Sequence, residues 1–571
     1  MGNRTLIKNA KIWTSDRKQP WADSILINGE DIEFVGTAEQ AEAAAAQYSA
    51  DSIHVIEAGG RMITPSFIDS HLHISTTALS MDMLWFQMRQ FETFEELMEV
   101  VKAYADEHPK EEVPFINSYS CPSECMEREG VNRYLMDKYV SDRPVLVMDV
   151  NFHRTIVNSK MLELMEVDKN TPYDHESSMN YERFEDGTPT GIIWEHAHEF
   201  NHDIDKMYEN MGWWPRKEDD PQLIDNFMQR VSDFGITGIH EGYTESDRIL
   251  KALTELDQQG KLKQYVQCMP LMKDISCLDS AIETTLEWKR KYEKGHVYVN
   301  SIKIFLDGTL EIGTFASLDP FLNDPSGKNY GTLNIEEDDL THAFEKFNQA
   351  GLDTQIHLVG DRAFRTALNA AERAQKNEKA AGREFNSKVV LMHCELTHPD
   401  DRKRPAELGV IVNANPGWMS GVFGDGAEAY IGKEKFDSLY SFNEMIRTGA
   451  TVCFSSDITD EGGFCIVDPF YGMEVAHRRA DDMFGSGIQR PPAEECVAIE
   501  DLLYGFTINN AIEMGIDHKT GSLEAGKKAN LCILTENIFE VPENKIKDIK
   551  CAAVMFEGEV IRGKDNLFTF V

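Results

Sequence analysis

Across 571 residues the sequence has no uninterrupted apolar stretch of the roughly 18 residues that a membrane-spanning helix needs. It is also short of basic charge, since 57 Lys and Arg face 97 Asp and Glu for a formal net charge of −40. Duplex nucleic acid and anionic membrane surfaces are bound through clustered Lys and Arg, so that field excludes both as partners. Residues 1–16 alternate polar and apolar without the apolar centre of a secretory signal, and Leu6 stands where N-myristoylation needs Ser or Thr. Cysteine is sparse at ten residues, and the close pair Cys121 and Cys125 has no second pair to complete a metal site. Reduced thiols and a cytoplasmic location are therefore expected. There is no internal repeat and no low-complexity tract. The apolar share, 42%, is that of a folded chain rather than a disordered one.

Residues 5–13, 24–28, 32–36 and 53–57 have the alternation and β-branched content of strands, with Asn28-Gly29 as a hairpin turn and a helix over 38–47. Residues 529–534, 552–556 and 560–561 share that character. Chain ends commonly lie close together, so both termini are expected to build one small sheet domain. Between them run eight apolar segments: 62–68, 236–239, 264–269, 297–306, 352–357, 388–392, 409–413 and 451–454. Strands buried on both faces read this way, and helical segments between them imply a parallel sheet. A (β/α)8 barrel and a doubly wound open sheet both satisfy this alternation. Residues 75–230 break the spacing. They contain a strand over 143–149, an amphipathic helix over 94–105 and the turn Trp213-Trp214-Pro215, and they are far too long for a loop. An inserted subdomain covering the barrel mouth is expected there, with Trp85, Phe86 and Met88 in its core.

The chemistry concentrates where the apolar runs end. In Asp69-Ser70-His71-Leu72-His73 the alternate histidines project to one side of a strand, which makes half of a zinc-type site. Lys303 lies within Ser301-Ile302-Lys303-Ile304-Phe305, where a free ammonium is expensive to bury. His357 and His393 end the fifth and sixth runs, and Asp457 follows the eighth. Each is an ordinary structural residue taken alone. Together they offer His-x-His, Lys, His, His and Asp at five strand ends, a metal constellation with an acid–base group. In a closed barrel the first and eighth strands are neighbours, so all five positions meet at one mouth, and the set favours closure.

The motifs Ile63-Thr64-Pro65-Ser66-Phe67-Ile68-Asp69-Ser70-His71-Leu72-His73, Lys303-Ile304-Phe305-Leu306-Asp307-Gly308-Thr309 and Gln355-Ile356-His357-Leu358-Val359-Gly360-Asp361-Arg362-Ala363 occur in order along the chain. With Gly521-Ser522-Leu523-Glu524-Ala525-Gly526-Lys527-Lys528-Ala529-Asn530-Leu531 they resemble the metal-dependent amidohydrolase superfamily, in its YtcJ-like branch related to N-substituted formamide deformylases. The resemblance implies an α/β fold: a (β/α)8 TIM barrel over 62–74 and 231–520, a β-sandwich from 1–61 and 521–571, and an insertion after the first barrel strand over 75–230. It implies His71, His73, Lys303, His357, His393 and Asp457 as metal ligands around one or two divalent ions, with Lys303 a candidate for carboxylation. CO₂ addition would turn that buried cation into an anionic ligand. Two stretches depart from the family pattern. Glu311 stands in Asp307-Gly308-Thr309-Leu310-Glu311-Ile312-Gly313-Thr314, where an arginine is usual further along, and Asp457 lacks its usual following proline.

His198-Glu199-Phe200-Asn201-His202 matches the His-Glu-x-x-His helix of zinc proteases, but its neighbours are too polar for a buried catalytic helix. It reads as a solvated helix face or part of a lid. His240 and Glu241 at the second run's end, Glu311, and His153 and Glu195 in the insert are the candidates for substrate contact. The expected reaction is hydrolysis of a carbon–nitrogen bond in an amide, formamide or cyclic amide. Metal-bound water ionises near neutral pH, and Asp457 carries its proton to the departing nitrogen. Zinc suits nitrogen-rich ligation, with manganese, iron and cobalt also compatible. The alternative on the same barrel is lyase, isomerase or decarboxylase chemistry, because a Lewis acid also stabilises an enolate. A non-catalytic binding protein is the other class, and the complete ligand set argues against it. A small-molecule substrate and a homodimer complete the expectation.

Overall fold

Short apolar runs become parallel strands because both of their faces are covered. The strands are β1 (Phe67–Leu72), β2 (Ile236–Glu241), β3 (Tyr265–Gln267), β4 (Ser301–Phe305), β5 (Asp353–Leu358), β6 (Val389–His393), β7 (Ile411–Ala414) and β8 (Val452–Phe454). The structure is a computed structural model that describes residues 4–563 apart from 50–51, 82–83, 87–90, 127, 129, 150–153, 173–179, 195–196, 201, 311–312 and 421–424. It divides into two units, one of Met1–Ile74, Asp219–Thr459 and Cys465–Val571, the other of Ser75–Glu218 with Asp460–Phe464.

In the first unit the ladders form two parallel sheets. One orders Val297–Tyr298, β3, β2 and β1; the other orders Leu271–Met272, β4, β5, β6, β7 and β8. Backbone bonds continue beyond the ladders. Cys268 N–H donates to Tyr298 O at 2.9 Å and Lys303 N–H to Pro270 O at 2.9 Å, joining the third and fourth segments. Past β8 and β1, Asp457 N–H donates to His71 O at 2.9 Å and His73 N–H to Ile458 O at 2.9 Å. Lower in the same seam a side chain replaces the backbone. The Asn510 amide donates to Ile68 O and, at 2.8 Å, to Phe454 O, while its oxygen accepts Phe454 N–H at 3.3 Å.

Helices separate the strands as the alternation predicts. In Asp361–Ala380, between β5 and β6, Ala363, Phe364, Ala367, Leu368, Ala371 and Ala374 recur at helical spacing and are buried. Glu337–Ala350, before β5, ends on Gly351 at φ +68°, a left-handed cap that glycine adopts without a Cβ penalty.

The termini build two further sheets in this unit. One orders Asp31–Gly36, Ser24–Asn28, Arg4–Lys8 and Ile53–Glu57; the other orders Glu559–Arg562, Cys551–Phe556, Leu531–Leu534, Met62–Pro65, Lys11–Trp13 and Trp21–Ala22. Ile7, Ile25, Ile27 and Ile56 of the first pack with Ile12, Ile63, Leu531, Ile533 and Met555 of the second in one core. The single strand predicted over 5–13 is therefore two strands in different sheets, parted at Asn9 with φ +54°. The run 62–68 is divided likewise, because Ser66 N–H turns to Asn530 O and Phe67 N–H to Gly235 O. The hairpin expected at Asn28-Gly29 lies one residue on: Asn28 pairs with Asp31 across Gly29-Glu30.

The second unit holds a mixed sheet ordered Tyr181–Arg183, Pro189–Trp194, Arg154–Val157, Val145–Asp149, Ile116–Cys121 and Leu84–Trp85. Helix Phe94–Glu107 starts on the Thr93 cap and buries Phe94, Leu97, Met98 and Val101 in a cluster with Phe86. Cys121 ends a strand and Cys125 lies in Ser123–Met126, so they do not share a helix; both are buried. No described helix is long and apolar enough to cross a membrane.

Candidate metal centre

His71 near the end of β1 and His73 just past it share a side of the extended chain, with ring centroids 5.3 Å apart. Asp457 follows β8 and reaches both: its Oδ1 is 3.3 Å from His71 Nε2 and 3.1 Å from His73 Nε2. Its Oδ2 is 3.9 Å from His393 Nδ1 at the end of β6. The Lys303 ammonium nitrogen from β4 lies 3.3 Å from His71 Nε2, and the His357 ring from β5 lies 4.5 Å from that of His393. All six side chains singled out at the strand ends therefore converge. One ligand atom each from His71, His393 and Asp457 lie within 4.8 Å of one another. Imidazole and carboxylate donors at that spacing suit a first-row dication, so the residues fit the ion that the sequence implies.

Backbone and neighbouring side chains fix the donors. His393 (φ +70°) and Asp457 (φ +53°) occupy left-handed backbone that costs a non-glycine residue energy and turns each side chain sharply from its strand. Gln355 Oε1 accepts from His71 Nδ1 at 2.9 Å, and Asn415 Oδ1 accepts from His393 Nδ1 at 2.7 Å. An amide oxygen only accepts, so both rings carry their proton on Nδ1 and keep the Nε2 lone pair for a cation. His357 instead donates from Nε2 to Gly308 O at 3.2 Å, leaving Nδ1 as its lone pair. Trp418 stacks on His393 at 5.3 Å and 11°, while Tyr243 meets the His73 ring edge-on at 5.3 Å and Phe305 lies 5.2 Å from His357.

Burial dominates the electrostatics. It pulls His71 down to about 3 and His357 to about 4, with the Lys303 charge adding to both, so these rings are neutral donors at neutral pH. His393 is held well below its usual value by burial and by His357. Burial would raise Asp457, but the His71 and His73 rings beside it overcome that and hold the carboxylate well below its ordinary range. Lys303 falls to about 7 through burial, opposed by Asp457 and Glu513. Two further buried carboxyls, Asp69 and Asp307, are pushed up to about 7 by burial. Asp69 accepts the N–H groups of His71 and Ser456, and Asp307 those of Ala316, Val359 and Gly360, so each ties the loops that carry the cluster.

His240 is 2% exposed, with Nε2 2.9 Å from Ser301 Oγ and Nδ1 2.9 Å from Gln355 Nε2. Glu241 is also buried and accepts Ile74 N–H. Glu311, His153 and Glu195 lie outside the described residues, as does Met88. The two histidines of His-Glu-x-x-His do not share a helix: Ala197–Phe200 ends before His202, which is exposed, sits at φ +57° and faces Asp205, while His198 is fully buried. Sequence reasoning missed Asn413, Asn415 and Glu513. The signal for the first two was two polar residues at alternate positions of an otherwise apolar run.

The model of a family described as "Amidohydrolase family" matches residues 54–562. The chain is 24% identical to the N-substituted formamide deformylase of Arthrobacter pascens, over 97% of each chain. It is 21% identical to YtcJ of Bacillus subtilis (strain 168), over 91% of this chain and 92% of that one. Among solved structures, an uncharacterized metal-dependent hydrolase from Pyrococcus furiosus shares the fold with a TM-score of 0.69 at 23% identity, covering 94% of this chain and 99% of that one.

Proposed function

Because the chain belongs to the amidohydrolase family, we propose that it is a divalent-metal hydrolase of a small amide, formamide or cyclic amide. The observation that carries this reading is the convergence of His71, His73, Lys303, His357, His393 and Asp457 from five strands onto one point. We read the eight strands as a closed (β/α)8 barrel, supported by the backbone bonds and the Asn510 amide across the seam between β8 and β1. When bound, a dication supplies a Lewis acid that acidifies water and polarises a carbonyl. His71, His73, His357, His393 and Asp457 would hold it, with zinc the first choice and one or two ions accommodated.

The chain's own residues do the rest. Asp457 lies at the centre of the cluster as an ionised carboxylate. One of its oxygens takes the proton of the attacking water and delivers it to the departing nitrogen, so amide and water leave as acid and amine. Trp418, Phe305 and Tyr243 set aromatic faces around the cluster, which suits an uncharged, largely apolar substituent on the substrate. Lys303, with about equal ammonium and amine near neutral pH, is set to react with CO₂, and carbon-13 bicarbonate should give a carbamate NMR signal that Lys303→Met lacks.

The test uses protein from zinc-replete cells, analysed for metal and incubated with N-substituted formamides, linear amides and cyclic amides in H₂¹⁸O. Metal in near-integral ratio and label in the acid product are expected. Turnover without label would assign lyase or isomerase chemistry, and absence of both metal and turnover would leave a binding protein.

A further inference from the structure

Beneath the cluster lies a carboxylate with no part in the reaction just described. Glu513 belongs to helix Asn510–Met514, after β8, and is 2% exposed. Its Oε1 accepts from Gln355 Nε2, and its Oε2 accepts from Asn413 Nδ2 at 2.7 Å and Ser70 Oγ at 3.1 Å. His240 Nδ1 stands 3.6 Å from Oε1. Its partners thus come from β1, β2, β5 and β7.

The consequence follows from donor and acceptor chemistry. A carboxylate only accepts, so the face of Gln355 turned toward Glu513 must be its NH₂. Ser70 O, 2.9 Å from the same nitrogen, makes the same demand. The opposite end of that amide, Oε1, is then forced toward His71 Nδ1, and the ring must protonate there. Two hydrogen bonds therefore carry information from the helix after β8 to the metal-facing nitrogen of His71.

We propose that Glu513, acting through Gln355, is a positioning residue that fixes the tautomer and ring orientation of His71 and so sets metal affinity. This rests on the metal reading above. With glutamine at 513, an NH₂ can face Gln355 and oppose the demand of Ser70 O, so the Gln355 amide is no longer held one way by both neighbours and His71 loses its fixed acceptor. Outer hydrogen-bond partners of ligating histidines are typically worth about 10- to 100-fold in metal affinity or activity.

The experiment measures zinc affinity by chelator competition, and the visible absorption of the cobalt-loaded protein, for the parent, Glu513→Gln and Gln355→Met. Thermal unfolding of each metal-free protein is recorded alongside. Zinc binding about tenfold or more weaker in both variants is expected, with an altered cobalt spectrum and a largely retained metal-free Tm. If Glu513 only supports packing, the metal-free Tm falls while zinc affinity and the cobalt spectrum stay at parental values, and the proposal is overturned. Should Glu513→Gln fail to fold, Gln355→Met decides alone, since it removes the same relay. A parent that takes up no metal defeats the functional reading itself, an outcome distinct from a parent and variants that bind equally.

Discussion

Asp457 carries the most specific demand. Replacing it with Asn keeps the volume and one acceptor oxygen but removes the base, so Asp457→Asn should lower kcat by about 10²- to 10⁴-fold. Metal content by elemental analysis shows whether the ion is retained; full turnover with metal bound would remove the proton-transfer role. Lys303 makes a different prediction. Its pKa falls from 10.5 in the unfolded chain to about 7 in the folded one. Below pH 7 the folded protein must bury an ammonium. Between 7 and 10.5 the unfolded chain holds a proton that the folded chain has released, so this residue's contribution to stability rises with pH. Urea midpoints of the metal-free protein at about pH 7 and about pH 9.5 should therefore rise relative to those of Lys303→Met. Parallel changes in the two proteins would mean that the amine is not desolvated.

The helix Asn510–Met514 does two jobs from one face, since positions three apart lie one above the other. Asn510 bonds Ile68 of β1 and Phe454 of β8, and Glu513 bonds Gln355, which in turn bonds His71. Asn510→Ala would leave Ile68 O and the Phe454 N–H and C=O without this partner inside the protein, at about 1–3 kcal/mol per orphaned group. Chemical denaturation should show a loss of roughly 3 kcal/mol or more; a change below about 1 kcal/mol would mean that the seam does not depend on it. The loop after β2 is constrained at Gly242, where an added Cβ would fall 2.3 Å from His73 Cε1. Gly242→Ala should displace that ring and weaken metal binding in the chelator assay, while an unchanged affinity would place His73 outside the ligand set.

For the whole molecule the net charge of −40 is the leading long-range property. Self-repulsion opposes the compact state, and salt shortens its reach from about 30 Å at 0.01 M to about 8 Å at 0.15 M. Tm should rise by a few degrees over that range. A fall would show that surface ion pairs such as Lys528 with Glu30 and Asp31 outweigh the repulsion.

The amino-acid order by itself determined which donors exist and where they stand. Apolar runs mark buried strands, and a polar residue ending such a run is held at a strand end; His71, His357 and His393 were legible for that reason. Strand alternation added His73, a lone ammonium in an apolar run marked Lys303, and Asp457 follows the eighth run; the family motifs supplied their expected role as ligands. Only the tertiary structure decided how 5–13 and 62–68 divide between sheets, that His240 meets Ser301 and Gln355, and that Glu513 bonds Gln355 next to His71. Periodicity records whether a residue is buried, but not which distant group satisfies it. Gln355 and Glu513 are 158 positions apart, and only packing can choose such a partner.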